Sequence, residues 1–268
     1  MDLDKLLADV CSIARTAGSF LKSEIHNISG KNIETKSDHD FVTYVDKASE
    51  KFLIEELSSI FPEAGIIAEE SHRENNNKQF NWIIDPLDGT TNYIHGMAPY
   101  AVSIALTDHG KEILGVVYEV NLDECFSAHI NGKAFLNNEI IKVSETSALS
   151  RSFVATGFPS KDYSKLTEYM ELLKGIMFDS HGVRRLGSAA TDIAYVACGR
   201  FDLFYEYNLN SWDVAAGSVI VQQAGGRVTD FKGGNNYLFG NEIITSNSLL
   251  HQEFMNLLQK HFHEPKQD

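Results

Sequence analysis

The stretch Trp82-Ile83-Ile84-Asp85-Pro86-Leu87-Asp88-Gly89-Thr90-Thr91-Asn92 changes character from apolar to acidic to helix-starting within a few residues. Its first three residues read as a short buried strand. Pro86 has no N–H for a sheet ladder and a nearly fixed φ, so the strand is expected to end there. Gly89 admits a backbone conformation or close approach that other residues resist, and Thr90-Thr91-Asn92 suit a helix start. Strand end, turn and helix start would together crowd two carboxylates, a backbone carbonyl and free N–H groups into a small volume. Hard oxygen donors of this kind suit Mg²⁺, and N–H groups at a helix start suit a phosphate. The plainer reading has Asp85 ending a strand and Asp88 capping a helix. That reading is ahead for an isolated D-x-x-D. It falls behind here because six consecutive residues fit, with Glu69-Glu70 and Trp212-Asp213 elsewhere in the chain.

Two rival readings fail on spacing. A calcium EF-hand loop needs acidic ligands at alternate positions and a glutamate at the twelfth. Counting from Asp85, the third position is Leu87 and the twelfth Gly96. An Asp-x-Asp-Gly-Thr phosphatase signature would place its nucleophilic aspartate on Pro86, which has no nucleophile.

Outward from this stretch, Leu3, Leu6, Leu7, Val10, Ile13, Ala14, Ala17 and Leu21 recur at helical spacing, predicting a long amphipathic helix. A second helix is expected over Tyr44–Ile60, led into by Asp40–Thr43 and stopped by Pro62 and Gly65. Ile66-Ile67-Ala68 reads as a short strand delivering Glu69-Glu70 at its end. Tyr100–Thr107 and Glu112–Val120, joined by Asp108-His109-Gly110-Lys111, read as a hairpin. The second half alternates short strands with helices near 161–178, 188–198, 212–224 and 248–261. Interleaved helices and hairpin-linked strands predict a layered α/β fold with mixed sheets.

The chain has 268 residues, 43% of them hydrophobic and 22% charged, which is a globular composition. No apolar run reaches the ~20 residues of a membrane span. The acidic, amphipathic start does not resemble a signal peptide. Cys11, Cys125 and Cys198 are scattered and odd in number, against a disulfide framework or zinc site and in favour of a reducing cytoplasm. A formal charge of -14 argues against a nucleic-acid partner, which calls for basic patches. An acidic protein that handles phosphate needs cations in between, and clustered carboxylates holding Mg²⁺ would supply them.

Trp82–Gly96 closely resembles the first signature of the inositol monophosphatase family, and Trp212-Asp213-Val214-Ala215-Ala216-Gly217, followed by Gln223-Ala224-Gly225-Gly226, resembles its second. Ala68-Glu69-Glu70-Ser71 is similar to the family's Gly-Glu-Glu-Ser, with alanine for glycine. Asp40-Phe41-Val42-Thr43-Tyr44-Val45-Asp46 matches its Asp-x-Val-Thr-x-x-Asp. The matches fall in order from Lys36 to Gly226.

The resemblance implies an αβαβα sandwich of the inositol monophosphatase and fructose-1,6-bisphosphatase type. It implies one catalytic domain over 1–268, with lobes of roughly 1–145 and 146–268 sharing the site. It also implies Mg²⁺-dependent, lithium-sensitive hydrolysis of a small phosphate monoester, and a homodimer. Glu69, Asp85 and the Leu87 carbonyl would hold a first Mg²⁺; Asp85, Asp88 and Asp213 a second; a weaker third ion would lean on Glu69. Mn²⁺ would substitute, and Li⁺ and Ca²⁺ would inhibit. Thr90 and Asp46 would pair beside the attacking water, and the Gly89 and Thr90 N–H groups would bind phosphate. Gly187, Ser188, Ala189 and Glu206 fall where the family contacts substrate hydroxyls, and Lys36 where it has a basic residue. The weaker of these readings have ordinary counterparts: Asp213 as an N-cap, Glu206 as an edge carboxylate, Lys36 as a solvated loop lysine.

Inositol monophosphate leads among the implied substrates. Fructose 1,6-bisphosphate, NADP and 3′-phosphoadenosine nucleotides are the alternatives, although nucleotide-directed relatives usually carry lysine where this chain has Thr91. A reading of another class is a regulatory binding protein, because some bacterial relatives have a second role in transcription.

Overall fold

The computed structural model of the chain describes residues 1–27, 33–37, 40–71, 78–159 and 162–262, with the backbone alone for 33–37 and 40–42. The first helix, α1 (Leu3–Glu24), starts where Asp2 accepts a hydrogen bond from the Lys5 amide at 3.1 Å. Its buried residues are Leu6, Leu7, Val10, Ile13, Ala14, Ala17, Gly18 and Leu21, the apolar stripe read from the sequence plus one glycine. Strands β1 (Ile33–Ser37) and β2 (Asp40–Thr43) pair antiparallel, so Asp40–Thr43 is itself a strand before α2 (Tyr44–Ile60).

A seven-stranded sheet follows. Its strands, β3 (Gly65–Ala68), β4 (Phe80–Asp88), β5 (Ala101–Asp108), β6 (Lys111–Glu119), β7 (Glu124–His129), β8 (Phe135–Leu136) and β9 (Glu139–Ile140), lie side by side in chain order. Only the β3–β4 pair is parallel. The short helix α3 (Thr90–Ile94) leaves the end of β4. The later part holds β10 (Phe153–Thr156), α4 (Leu166–Asp179), β11 (Gly182–Arg184), α5 (Ala189–Ala197), β12 (Leu203–Tyr207), α6 (Ser211–Gln223), β13 (Arg227–Thr229), β14 (Glu242–Ser246) and α7 (His251–His261). Its five strands form a mixed sheet in the order β11-β10-β12-β14-β13.

Three apolar clusters glue five layers together. Val10, Leu21 and Leu53 pack with Trp82, Ile84 and Ile104 on one face of the large sheet. Ile83, Val117 and Phe126 on its other face meet Ile193, Ala216 and Ile220 of α5 and α6, which also touch Phe204 and Ile243 of the small sheet. Tyr169 and Ile176 of α4 and Phe254 of α7 cover the remaining face. The order is helices, sheet, helices, sheet, helices: a layered αβαβα sandwich. Fully burying one such side chain is worth ~1.5–3 kcal/mol, so the α5–α6 layer, with apolar contacts on both sides, is the element the stack cannot lose.

The strand expected to end at Pro86 runs on to Asp88. Asp85 pairs with Ser103 and Asp88 with Ala101, so Pro86 and Leu87 together face the single residue Val102. The extra residue makes a β-bulge, and a bulge accommodates a proline because the ladder is already interrupted there.

Among the described residues, no helix is long and apolar enough to cross a membrane. All three cysteines are free thiols; Cys125 is buried, while Cys11 and Cys198 are half-buried.

Candidate active site

The parallel register of β3 and β4 sets the first juxtaposition. Ala68 pairs with Ile84, so the next residues, Glu69 just past the end of β3 and Asp85 within β4, stand side by side; the Glu69 amide donates to the Ile84 carbonyl at 3.3 Å. The buried Glu50 of α2 secures this end of β3 by accepting from the amides of Glu70 at 2.7 Å and Ser71 at 2.8 Å. In a regular strand, residues three apart point to opposite faces. The bulge adds one residue, which lets Asp85 and Asp88 converge.

Asp213 arrives from α6, 128 residues beyond Asp85 along the chain. Ligand oxygens of Asp85, Asp88 and Asp213 lie within 4.8 Å of one another. Asp213 is held by a capping box: Asn210 is the N-cap, and its amide donates to Asp213 Oδ2 at 2.6 Å. Asp213 is therefore not the N-cap that its place at the helix start suggests; it occupies the third helical position. Asp46 is held the same way at α2, where Oδ2 accepts from the Thr43 amide at 2.8 Å and the Thr43 hydroxyl at 2.6 Å.

Such a cluster is electrostatically uncomfortable. Burial pushes the Asp85 carboxyl well above the usual carboxylate range, and the charges of Glu69, Asp88 and Asp213 push it further. Burial also raises Asp88, to about 6, against the lowering effect of its donors Ser188 Oγ and the Ala190 amide. Three converging carboxylates with a fourth beside them, Asp85 and Asp88 buried and Glu69 and Asp213 half-buried, offer oxygen-only donors that fit a hard divalent cation. The residues present therefore fit the Mg²⁺ that the sequence implied.

The next residues build the turn that follows β4. Gly89 has φ 91° and precedes α3. A Cβ there would stand 3.1 Å from the Pro99 carbonyl and 3.2 Å from the Gly187 carbonyl. Thr90 Oγ1 lies 3.1 Å from Asp46 Oδ1 and 3.0 Å from the Leu87 carbonyl, so the expected Thr90–Asp46 pair is present. Burial raises the Asp46 carboxyl, opposed by its bonds to Thr43 and Thr90. Asn92 ties this turn to the second half of the molecule, donating to the Pro99 and Leu186 carbonyls, each at 2.8 Å.

Gly187 and Ser188 thus lie beside Gly89, and Ala189 opens α5 directly behind Asp88. Glu206 lies within β12, and burial followed by the charge of Asp213 pushes its carboxyl well up. Lys36 is on β1, with its side chain outside the described residues. So are residues 72–77 and 160–161, which belong to Ser71–Lys78 and Gly157–Tyr163, the stretches that the sequence offers for the mouth of the site.

Three residues near the site were not read from the sequence. Glu50 looked like any polar position on α2. Asp192, in the first turn of α5, is buried yet looked like an acid placed to favour a helix start. Arg185 looked like a solvated loop cation. The capping patterns Thr43-x-x-Asp46 and Asn210-x-x-Asp213 were visible signals for how the two aspartates are held.

Comparisons with known proteins agree with this fold. The profile of the inositol monophosphatase family matches residues 2–265. A putative Nus factor SuhB from Neisseria meningitidis serogroup B is 38% identical over 249 residues, covering 92% of this chain and 95% of the relative. An inositol-1-monophosphatase from Mesorhizobium japonicum is 35% identical over 256 residues, covering 95% and 96%. Among solved structures, the extragenic suppressor protein suhB from Bartonella henselae superposes with a TM-score of 0.90 at 37% identity, covering 96% of this chain and 100% of that one. Inositol monophosphatase from Anabaena gives 0.86 at 35% identity, covering 98% of each. The chain belongs to the inositol monophosphatase family.

Proposed function

We propose that this chain is a Mg²⁺-dependent phosphatase of small phosphate monoesters, with inositol monophosphate its leading substrate. The observation that carries the reading is the convergence of Asp85, Asp88 and Asp213 within 4.8 Å, next to the turn at Gly89 that opens α3. Glu69, Asp85 and the Leu87 carbonyl would hold a first Mg²⁺, Asp85, Asp88 and Asp213 a second, and Glu69 would contribute to a weaker third. When bound, such ions lower the pKa of water, draw in phosphoryl oxygens and neutralise a leaving alkoxide.

The chain's own groups do the rest. Thr90 Oγ1 has one proton and two acceptors in reach, Asp46 Oδ1 and the Leu87 carbonyl. With the bond to Asp46 made, its lone pairs can orient the attacking water, and the hydroxyl can take that water's proton as it passes its own to the Asp46 carboxylate. Asp46 is in turn held by Thr43, so the hydroxyl is aimed before substrate arrives. The amides of Gly89 and Thr90 would hold the phosphate, and Ser188, Ala189 and Glu206 the alcohol portion. No side chain needs to carry the phosphoryl group. Direct in-line attack by water inverts the configuration at a chiral phosphorus; retention would overturn it.

The decisive assay measures phosphate release from inositol 1-phosphate, fructose 1,6-bisphosphate, NADP and 3′-phosphoadenosine nucleotides, with and without Mg²⁺. The reading expects Mg²⁺-dependent release, inhibition by Li⁺ and Ca²⁺, and activity with Mn²⁺. Release equal in EDTA would sink it. It also includes a single catalytic unit with lobes near 1–145 and 146–268, a cytoplasmic location, and a homodimer. The exposed Met170, Met177 and Phe178 on α4 favour the last, and sedimentation would test it.

Several relatives bear the name Nus factor SuhB, which favours a second reading as a regulatory binding protein. Rescue of a deletion phenotype by a metal-site variant without turnover would promote it.

A further inference from the structure

The side of the site facing the leaving alcohol is shaped by two glycines that make room for charged neighbours. Gly157, just after β10, is buried, and a Cβ there would stand 2.0 Å from the carboxyl carbon and both oxygens of Glu206. The Glu206 carboxyl therefore lies flat against this backbone. The wall behind it is rigid: Tyr169 donates from its hydroxyl to the Gly157 carbonyl at 3.0 Å and is 2.6 Å from Thr156 Oγ1. On the other side, Gly187 has φ 94°, and a Cβ there would stand 2.6 Å from Nη1 of Arg185. The exposed Arg185 guanidinium thus folds back across Gly187, whose carbonyl abuts Gly89.

Arg185 sits 6.0 Å over the Phe158 ring and makes no side-chain hydrogen bond or ion pair among the described residues. Its charge acts on both Glu206 and Asp192. Asp192 is 2% exposed, and its Oδ1 has no hydrogen-bond partner. It lies two residues beyond Ala190, whose amide holds Asp88 at 2.8 Å. A buried carboxylate oxygen without a donor is costly, and the field it sits in is that of Glu206, Asp88 and Arg185.

Resting on the phosphatase reading above, we propose that Arg185 and Asp192 join Glu206 as the residues that read the leaving group, and that they select the monophosphate of an uncharged polyol. A polyol hydroxyl can donate to a carboxylate and accept from a guanidinium at once, and this wall offers both. A second phosphate would bring further charge against the Glu206 and Asp192 carboxyls, where burial already works against charge, and be disfavoured. Arg185 is exposed and Asp192→Asn keeps its shape, so both variants are expected to fold.

The test compares wild type, Arg185→Ala and Asp192→Asn on inositol 1-phosphate, on phenyl phosphate, whose leaving group carries no further hydroxyl, and on fructose 1,6-bisphosphate. Each variant is expected to lose at least about tenfold more kcat/KM on inositol 1-phosphate than on phenyl phosphate, mainly through KM. The Mg²⁺ concentration dependence and Tm should stay at wild-type values. Equal losses on both monoesters, or none, would overturn the assignment. Wild type preferring fructose 1,6-bisphosphate, with Arg185→Ala abolishing the preference, would overturn the substrate class. A wild type inactive on every probe defeats the phosphatase reading separately. Calorimetric titration of inositol 1-phosphate in Ca²⁺ then decides the wall, and unchanged affinity in Arg185→Ala overturns it.

Discussion

At the scale of single residues, the site works by giving each carboxylate two duties. Asp46 and Asp213 close capping boxes with one oxygen while belonging to the site, and Asp88 accepts from Ser188 and Ala190 while facing Asp85. Asp88→Asn should abolish Mg²⁺-dependent turnover and the Mg²⁺-induced rise in Tm. Its metal-free Tm should equal or exceed that of wild type, because one repelling charge is gone. Circular dichroism and thermal melts with and without Mg²⁺ check this, and full activity in the variant would refute the site. Thr90→Ala should lower kcat by ~10²- to 10⁴-fold with little change in the Mg²⁺ concentration dependence, and Thr90→Ser should recover most of it. A serine variant as slow as the alanine would mean that the hydroxyl is not what matters. The types and positions of these residues were legible from the sequence because Asp85–Thr90 is contiguous. Arg185 and Asp192 were not, because an exposed loop cation and a first-turn acid have ordinary explanations until a neighbouring glycine or an unpartnered oxygen is seen.

At the scale of elements, the turn from β4 into α3 is where geometry is least forgiving. Gly89 needs φ 91° and sits against two backbone carbonyls. Gly89→Ala should cost ~1–3 kcal/mol through backbone strain, and kcat/KM should fall further than that loss of stability explains. Urea unfolding and steady-state kinetics on the same preparation separate the two effects; wild-type values in both would contradict the conformational requirement. The helices α1, α2, α5 and α6 were readable from periodicity and capping. The bulge at Pro86-Leu87 was not, because proline signals an interrupted ladder without telling a strand's end from a strand that continues one residue out of register.

At the scale of the whole molecule, the layers hold together a charge cluster that weakens them when no cation is present. Burial raises the folded-state pKa of Asp88 to about 6 from the ordinary 3.8 of an aspartate. The metal-free folded chain therefore binds more protons than the unfolded chain between these values, and its stability falls as pH rises through that window. Asp88 alone accounts for about 3 kcal/mol of this, and the raised Asp85 and Glu206 act in the same direction. In EDTA, Tm should be lower at pH 7.5 than at pH 5, and Mg²⁺ should raise it more at pH 7.5. A metal-free Tm that is flat or rising across that range would sink the account.

The amino-acid sequence by itself determined which residue types could do this chemistry, where the long helices lie, and that an acidic chain would need cations to handle phosphate. These follow from local periodicity, backbone restriction and side-chain chemistry, which act over a few residues. Only the tertiary structure decided that Asp213 meets Asp85, that the bulge turns Asp88 to join them, and that Arg185 and Asp192 come within electrostatic reach of Glu206. Like charges do not gather by local preference. They are held together because burying the apolar faces of α5 and α6 between two sheets outweighs their repulsion, and that balance exists only in the packed stack.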